Sequence, residues 1–229
     1  MPDLPKLTTL ADPIIEDGEE DWELLHERTY TVRSYHVRDD LLVLRGAVAD
    51  DKPPHLYLAA DHEGMRLHHM TVDLYVQRPS MEIVDVKVKI RSYPNPQCPS
   101  VEENYRKLIG LNISRGFSKS VRELFGGPNG CSHTTALLIA MAPVNVQSIF
   151  SARYRDMRHA ERNNLPVKIG DVRQNLAVLN VNTCHIWAEG GEVVDEARKG
   201  RLVAAPLPVQ LRCEALGIDP DTWSKQLAE

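Results

Sequence analysis

The chain has 229 residues, 42% hydrophobic and 26% charged, enough to bury a core without covalent staples. Its formal charge of −5 and its basic residues scattered among acids argue against nucleic-acid binding, and four distant cysteines without a CxxC pair fit neither a disulfide scaffold nor a zinc ribbon. With no stretch of about 18 apolar residues and no charged start leading into an apolar run, the expectation is a cytoplasmic protein that makes no membrane contact.

Residues 1–25 mix prolines with the acidic cluster Glu16 to Asp21 and read as a solvated arm; 26–229 read as a single domain. From Arg28, polar Thr29, Thr31 and Arg33 alternate with Tyr30 and Val32, and a second β-rich run follows at Leu41 to Val48, which together predict a hairpin. A second hairpin is predicted from 67–77 and 81–93, where Ile83, Val84, Val86, Val88 and Ile90 nearly alternate with polar residues, leaving one face wet. Pro94, Pro96 and Pro99 end the strands. Helical spacing then begins at Val101, Tyr105, Leu108 and Ile109, and a second helix fits Phe117 to Phe125. A long helix is expected from about Ser132 to Arg162, capped by Ser132, Thr134 or Thr135 and interrupted by Pro143. Its charged second half, 148–162, is surface or a homo-oligomer contact. The rest is predicted irregular, with an apolar run at 176–181 and a short closing helix starting near Pro220. Strands first and helices afterwards give an α+β class, an antiparallel sheet packed by helices from the C-terminal half.

Chemistry concentrates at FGGPNGCSHTTALLIA, residues 125–140, where a glycine turn delivers Cys131 and His133 to the start of the apolar helix. Unpaired N–H groups there favour a thiolate, which makes Cys131 a candidate nucleophile or ligand; a small buried hydrophobe fits the same position. Two further pairs carry soft or titratable groups, His68 with His69 and Cys184 with His185. Adjacent strand residues face opposite ways, so only one of His68 and His69 can enter a given site. If the pairs converge, His68, Cys131, His133, Cys184 and His185 suit zinc or iron, with an open place for water or a carbonyl. Without metal, Cys131 would attack with a histidine as base, or histidines would shuttle protons. Asp50, Asp51 and Lys52, in the loop after the first hairpin, could add a carboxylate and a cation: Asp51 and Arg115 are assigned to substrate, Lys52 to the catalytic set with His68, Cys131 and His133. Motifs for dinucleotide, P-loop, serine-hydrolase and zincin chemistry are absent.

Between about Arg28 and Val194 the motifs fall in an ordered series: Asp51-Lys52-Pro53 preceded by Asp50, His68-His69-Met70, Cys98-Pro99, Tyr105 to Gly110, Gly126 to His133, and Cys184-His185. In that series the chain resembles the bacterial family known as domain of unknown function 2889. The resemblance implies that several of Asp51, Lys52, His68, Cys98, Cys131, His133, Cys184 and His185 share a site. The chain departs from the family at His69, which stands where an acid is usual, and in Ser132-His133-Thr134-Thr135, which lacks a carboxylate the family carries just beyond its GCTH. The family name brings no activity. The expected function is an enzyme of small-molecule breakdown, acting on an aromatic or carboxylated compound by lyase or hydrolase chemistry. A metal carrier or assembly scaffold without catalysis is the alternative.

Overall fold

Two-residue alternation of apolar and polar side chains governs the first half of the chain. In the computed structural model, which describes residues 7–19, 21–165, 180–199 and 205–226, four strands form one antiparallel sheet in the order β1-β2-β3-β4. They are β1, Glu27–Arg38; β2, Leu41–Lys52; β3, Met65–Gln77; and β4, Glu82–Ser92. Helices occupy the second half, so the class is α+β, as expected.

One face of the sheet is dry because every second residue of the inner strands is apolar. Leu42, Leu44 and Val48 of β2, Met70, Val72, Leu74 and Val76 of β3, and Ile83, Val86, Val88 and Ile90 of β4 are all buried. The opposite face is wet: Arg45 binds Asp73 through two hydrogen bonds of 2.8 Å, and the Lys87 ammonium lies 5.0 Å from the Tyr75 ring centre.

The dry face is covered by 3₁₀ turns at Cys98–Leu108 and by two helices, α1 (Phe117–Phe125) and α2 (Ser132–Arg162). Residues 98–108 take the tighter 3₁₀ form with Pro99 in the first turn; an apolar spacing of three to four residues suits both helix types, so it does not distinguish them. Pro143 does not interrupt α2, which runs unbroken through it. Its side chain is exposed, on a flank where water can reach the carbonyl that loses its N–H partner. By length and composition α2 could cross a membrane, with a window of mean hydropathy 1.4. Here Leu137, Leu138 and Met141 are instead fully buried against the sheet.

Later helices are α3 (Glu192–Arg198), α4 (Leu207–Leu216) and α5 (Pro220–Gln226); α5 begins at the expected proline, and α3 and α4 give regular structure to a segment expected to be irregular. Most of the apolar run expected at 176–181 lies outside the described residues. The chain divides into two compact units. Gly18–Asp156 holds the sheet, α1 and most of α2, and the other unit takes in described residues up to Asp17 and from Met157 on. Within the latter, Val194, Ala197 and Ala205 are buried.

Candidate functional site

The inward row of β2 reads Leu42, Leu44, Gly46, Val48 and then Asp50, so the same alternation that builds the core carries one carboxylate onto its face. Asp50 is 2% exposed. Its cross-strand partners are Arg28 on β1 and His68 on β3, which places Arg28, Asp50 and His68 side by side across three strands. His68 is therefore the member of the His68-His69 pair that faces the site.

The fourth participant comes from α2. Gly130 lies where a Cβ would meet Phe125 O at 2.7 Å and Phe125 Cβ at 2.8 Å, so only glycine lets the chain turn this tightly. The buried Tyr105 hydroxyl accepts from Cys131 N–H at 2.8 Å, and Cys131 C=O accepts the first helical hydrogen bond from Thr135 N–H at 2.9 Å. The expected hydroxyl cap does not form; Thr135 Oγ1 donates to Phe125 O instead. This start directs His133 over the strand row, where its ring stacks on His68 with centres 4.0 Å apart and planes at 26°.

Asp50 is the hub. Arg28 donates from Nε to Oδ1 at 2.5 Å and from Nη2 to Oδ2 at 2.7 Å. His26 Nε2 lies 3.5 Å from Oδ1. His68 Nδ1 and His133 Nε2 each lie 3.0 Å from Oδ2. The Arg28 hydrogen bonds hold the Asp50 carboxyl at about 2, so it is ionised at neutral pH. Burial, reinforced by the neighbouring His68, pushes the His133 imidazole below its ordinary value and favours the neutral ring.

One ring nitrogen of this cluster is left without a hydrogen-bond partner. A carboxylate offers about four acceptor sites; Arg28 takes one on each oxygen, so a single site on Oδ2 faces two ring nitrogens. His68 Nδ1, although 3.0 Å away, is out of line for a hydrogen bond, and this buried atom is unsatisfied. Asp50, His68 and His133 present one ligand atom each, all within 4.8 Å of one another. Ligand atoms about 2.1 Å from one ion and at right angles stand about 3.0 Å apart, the spacing seen from Oδ2 to each imidazole. A metal ion therefore fits, as a two-histidine, one-carboxylate set that leaves positions for water or substrate; His68 and His133 keep 17% and 16% side-chain exposure.

A family model described as Protein of unknown function (DUF2889) matches residues 26–147, more than half of the chain. The chain belongs to this family. No curated protein and no solved structure matches it. In this DUF2889 protein the matched stretch contains Arg28, Asp50, His68, Cys131 and His133. It ends before Cys184 and His185, short of the extent to Val194 expected from the motif series.

The remaining candidates are placed differently from one another. Cys131 is not one of the converging ligand atoms: its Sγ lies 3.8 Å from His133 Nδ1, on the ring edge opposite Asp50, and its side chain packs against the core. A proton on Nδ1 shared with that sulfur leaves the Nε2 lone pair facing Asp50. Asp51, next along the strand, faces away from the inward row and is bound bidentately to its cross-strand partner Arg66, at 2.7 and 2.6 Å. Lys52 Nζ lies 5.4 Å from the Tyr57 ring centre, and Arg115 is exposed in the turn before α1. Cys184 and His185 are exposed residues of the other compact unit, at the 3₁₀ turn His185–Trp187. From the sequence alone Asp51 is favoured over Asp50, and nothing marks Arg28 or His26. Asp50 was within reach of the two-residue period from Leu42. The other two depend on strand register.

A cavity of about 360 Å³ lies elsewhere, lined among others by Ser34, His36, Leu42, Gln147 and Arg155. It opens near the turn end of the first hairpin, eight residues along β1 from Arg28.

Proposed function

We propose that this protein is an enzyme acting on a small organic molecule through one divalent metal ion, zinc or iron(II), held by Asp50, His68 and His133. One observation carries the reading: three ligand atoms converge within 4.8 Å, and the buried His68 Nδ1 among them has no hydrogen bond. When bound, such an ion supplies a polarised carbonyl or an activated water, the chemistry of a hydrolase or lyase. The chain supplies the rest. Arg28 keeps Asp50 anionic and fixed in rotation, the sheet fixes His68, and Cys131 orients His133. Four free cysteines support a cytoplasmic setting.

The test is metal analysis of the full chain purified without chelator. About one ion per chain is expected, lost in Asp50→Ala, His68→Ala and His133→Ala variants that keep their far-ultraviolet circular dichroism. Metal content equal in all four proteins would refute the assignment. A stoichiometric ion that passes readily to acceptor chelators, with no turnover of any substrate, would favour the carrier.

Arg28 supports a second reading. Its hydrogen bonds already compensate Asp50, so His68 and His133 could exchange protons as a metal-free acid–base pair. Turnover that survives exhaustive chelation would select that reading.

A further inference from the structure

We infer that the ligand of this site is a small oxyanion, a carboxylate or a phosphate ester, which binds with one oxygen on the metal and another against Arg28; this rests on the metal reading above. The Asp50 carboxylate is already paired with the Arg28 guanidinium through two hydrogen bonds, and an imidazole binds a metal as a neutral ligand. A divalent ion therefore leaves close to two positive charges without a protein counter-charge in the cluster, and an anion is the complementary ligand.

Geometry then selects which anion. Arg28 Nη2 is 2.7 Å from Oδ2, the oxygen that also faces His68 and His133. An ion about 2.1 Å from Oδ2 lies within about 5 Å of that nitrogen, a gap that an oxyanion bridges with one oxygen on the ion and a second accepting from Arg28. Guanidinium presents five donors in a plane, of which Asp50 uses two. The Arg28 side chain is 38% exposed. His26, 37% exposed and 3.5 Å from Oδ1, adds a ring donor beside the guanidinium. Metal, planar donor fork and imidazole thus border one carboxylate. A two-oxygen anion uses them together, whereas a neutral amide or alcohol cannot.

Cobalt(II) provides the probe, because its visible bands change when a ligand enters its coordination shell. The full chain is loaded with saturating cobalt(II) and titrated separately with benzoate, inorganic phosphate and neutral benzamide. Saturable band changes are expected with an anion and not with benzamide, and the anion midpoint should weaken at least tenfold in Arg28→Gln under the same saturating cobalt(II). Arg28→Lys, which keeps the charge without the planar fork, should fall between the two and serves where the glutamine variant does not fold. A response to benzoate alone identifies a carboxylate ligand, and a response to phosphate alone a phosphate ester. Failure of cobalt(II) to bind, or binding unaffected by His68→Ala, would defeat the metal reading itself. Tight cobalt(II) binding with no anion response, an equal response to benzamide, or midpoints unchanged in both Arg28 variants would overturn this inference alone.

Discussion

Gly46 sits on the inward row of β2, four residues before Asp50, where α2 crosses the sheet. A Cβ placed there would stand 2.8 Å from Met141 Sδ and 3.1 Å from Leu137 Cδ1. Both side chains are fully buried, so neither tip can swing into solvent. Gly46→Ala should therefore overpack the core at a cost of about 1–3 kcal/mol, offset by about 0.5–1 kcal/mol for replacing glycine in a strand; the middle of those ranges leaves a net loss of about 1 kcal/mol. Met141→Ala alone should cost about 2–5 kcal/mol through the cavity it leaves. Combined, the two changes relieve one another, and the double variant should be more stable than the sum of the singles by about 1 kcal/mol or more. Urea unfolding followed by circular dichroism measures all four proteins. Leu137 and Met141 follow His133 by one and two turns on the same helix face, so the clash also lifts His133 from Asp50. Metal affinity should accordingly fall in Gly46→Ala and recover in the double variant. A neutral Gly46→Ala, or strict additivity with Met141→Ala, would refute the close approach of α2 on which the site depends.

Cys131→Ala removes the contact on His133 Nδ1 and should lower metal affinity about tenfold, while Cys184→Ala and His185→Ala should leave it unchanged; a competitive chelator titration checks all three. Arg45→Ala breaks a bidentate pair on the wet face, where Arg45 is largely exposed, and should cost less than about 1 kcal/mol in urea unfolding. Burial pushes the Tyr154 phenol up to about 12, against an ordinary value of about 10. The fold thus favours the neutral phenol, so the stability this difference supplies is present below about pH 10 and is lost as pH rises through about 12. Tyr154→Phe should lose less stability than the wild type across that window; parallel losses would refute the assignment.

The sheet was legible because apolar residues of β2 and β4 recur at nearly every second position, from Leu42 to Val48 and from Ile83 to Ile90, and because three prolines end the pattern at 94–99. The tightening of residues 98–108 into 3₁₀ turns was not, since Val101, Tyr105 and Leu108 suit either helix. For the site, His68, Cys131 and His133 stood out as residue types, but their roles depend on direction. His133 turns one nitrogen to Asp50 and the other to Cys131, and only the folded turn at Gly130 decides which. The choice of Asp50 over Asp51 follows from counting by twos along β2. Arg28 joins them because it pairs in register with Asp50 across two strands, a relation that exists only once the hairpin has formed.

A guanidinium already seated on a carboxylate opposes a metal ion on the same carboxylate, and the distances decide which effect is larger. At an effective dielectric of about 20, a divalent ion about 2.1 Å from Asp50 is attracted by roughly 16 kcal/mol, and Arg28 at about 5 Å repels it by roughly 7 kcal/mol. The attraction is more than twice the repulsion before either imidazole contributes, and the lone pair that Arg28 leaves on Oδ2 is the one directed at His68 and His133. Arg28 thus weakens the site without closing it. A carboxylate held this way is fixed in rotation and kept ionised, and its ion remains electrophilic because the surrounding protein charge is nearly cancelled. Those properties suit an ion that must bind and release an anionic ligand better than one that only staples a fold, whose ligands are normally four and closed. On the proposed metal reading, the same arginine would lower affinity for the ion and would offer its free donors to an anionic substrate.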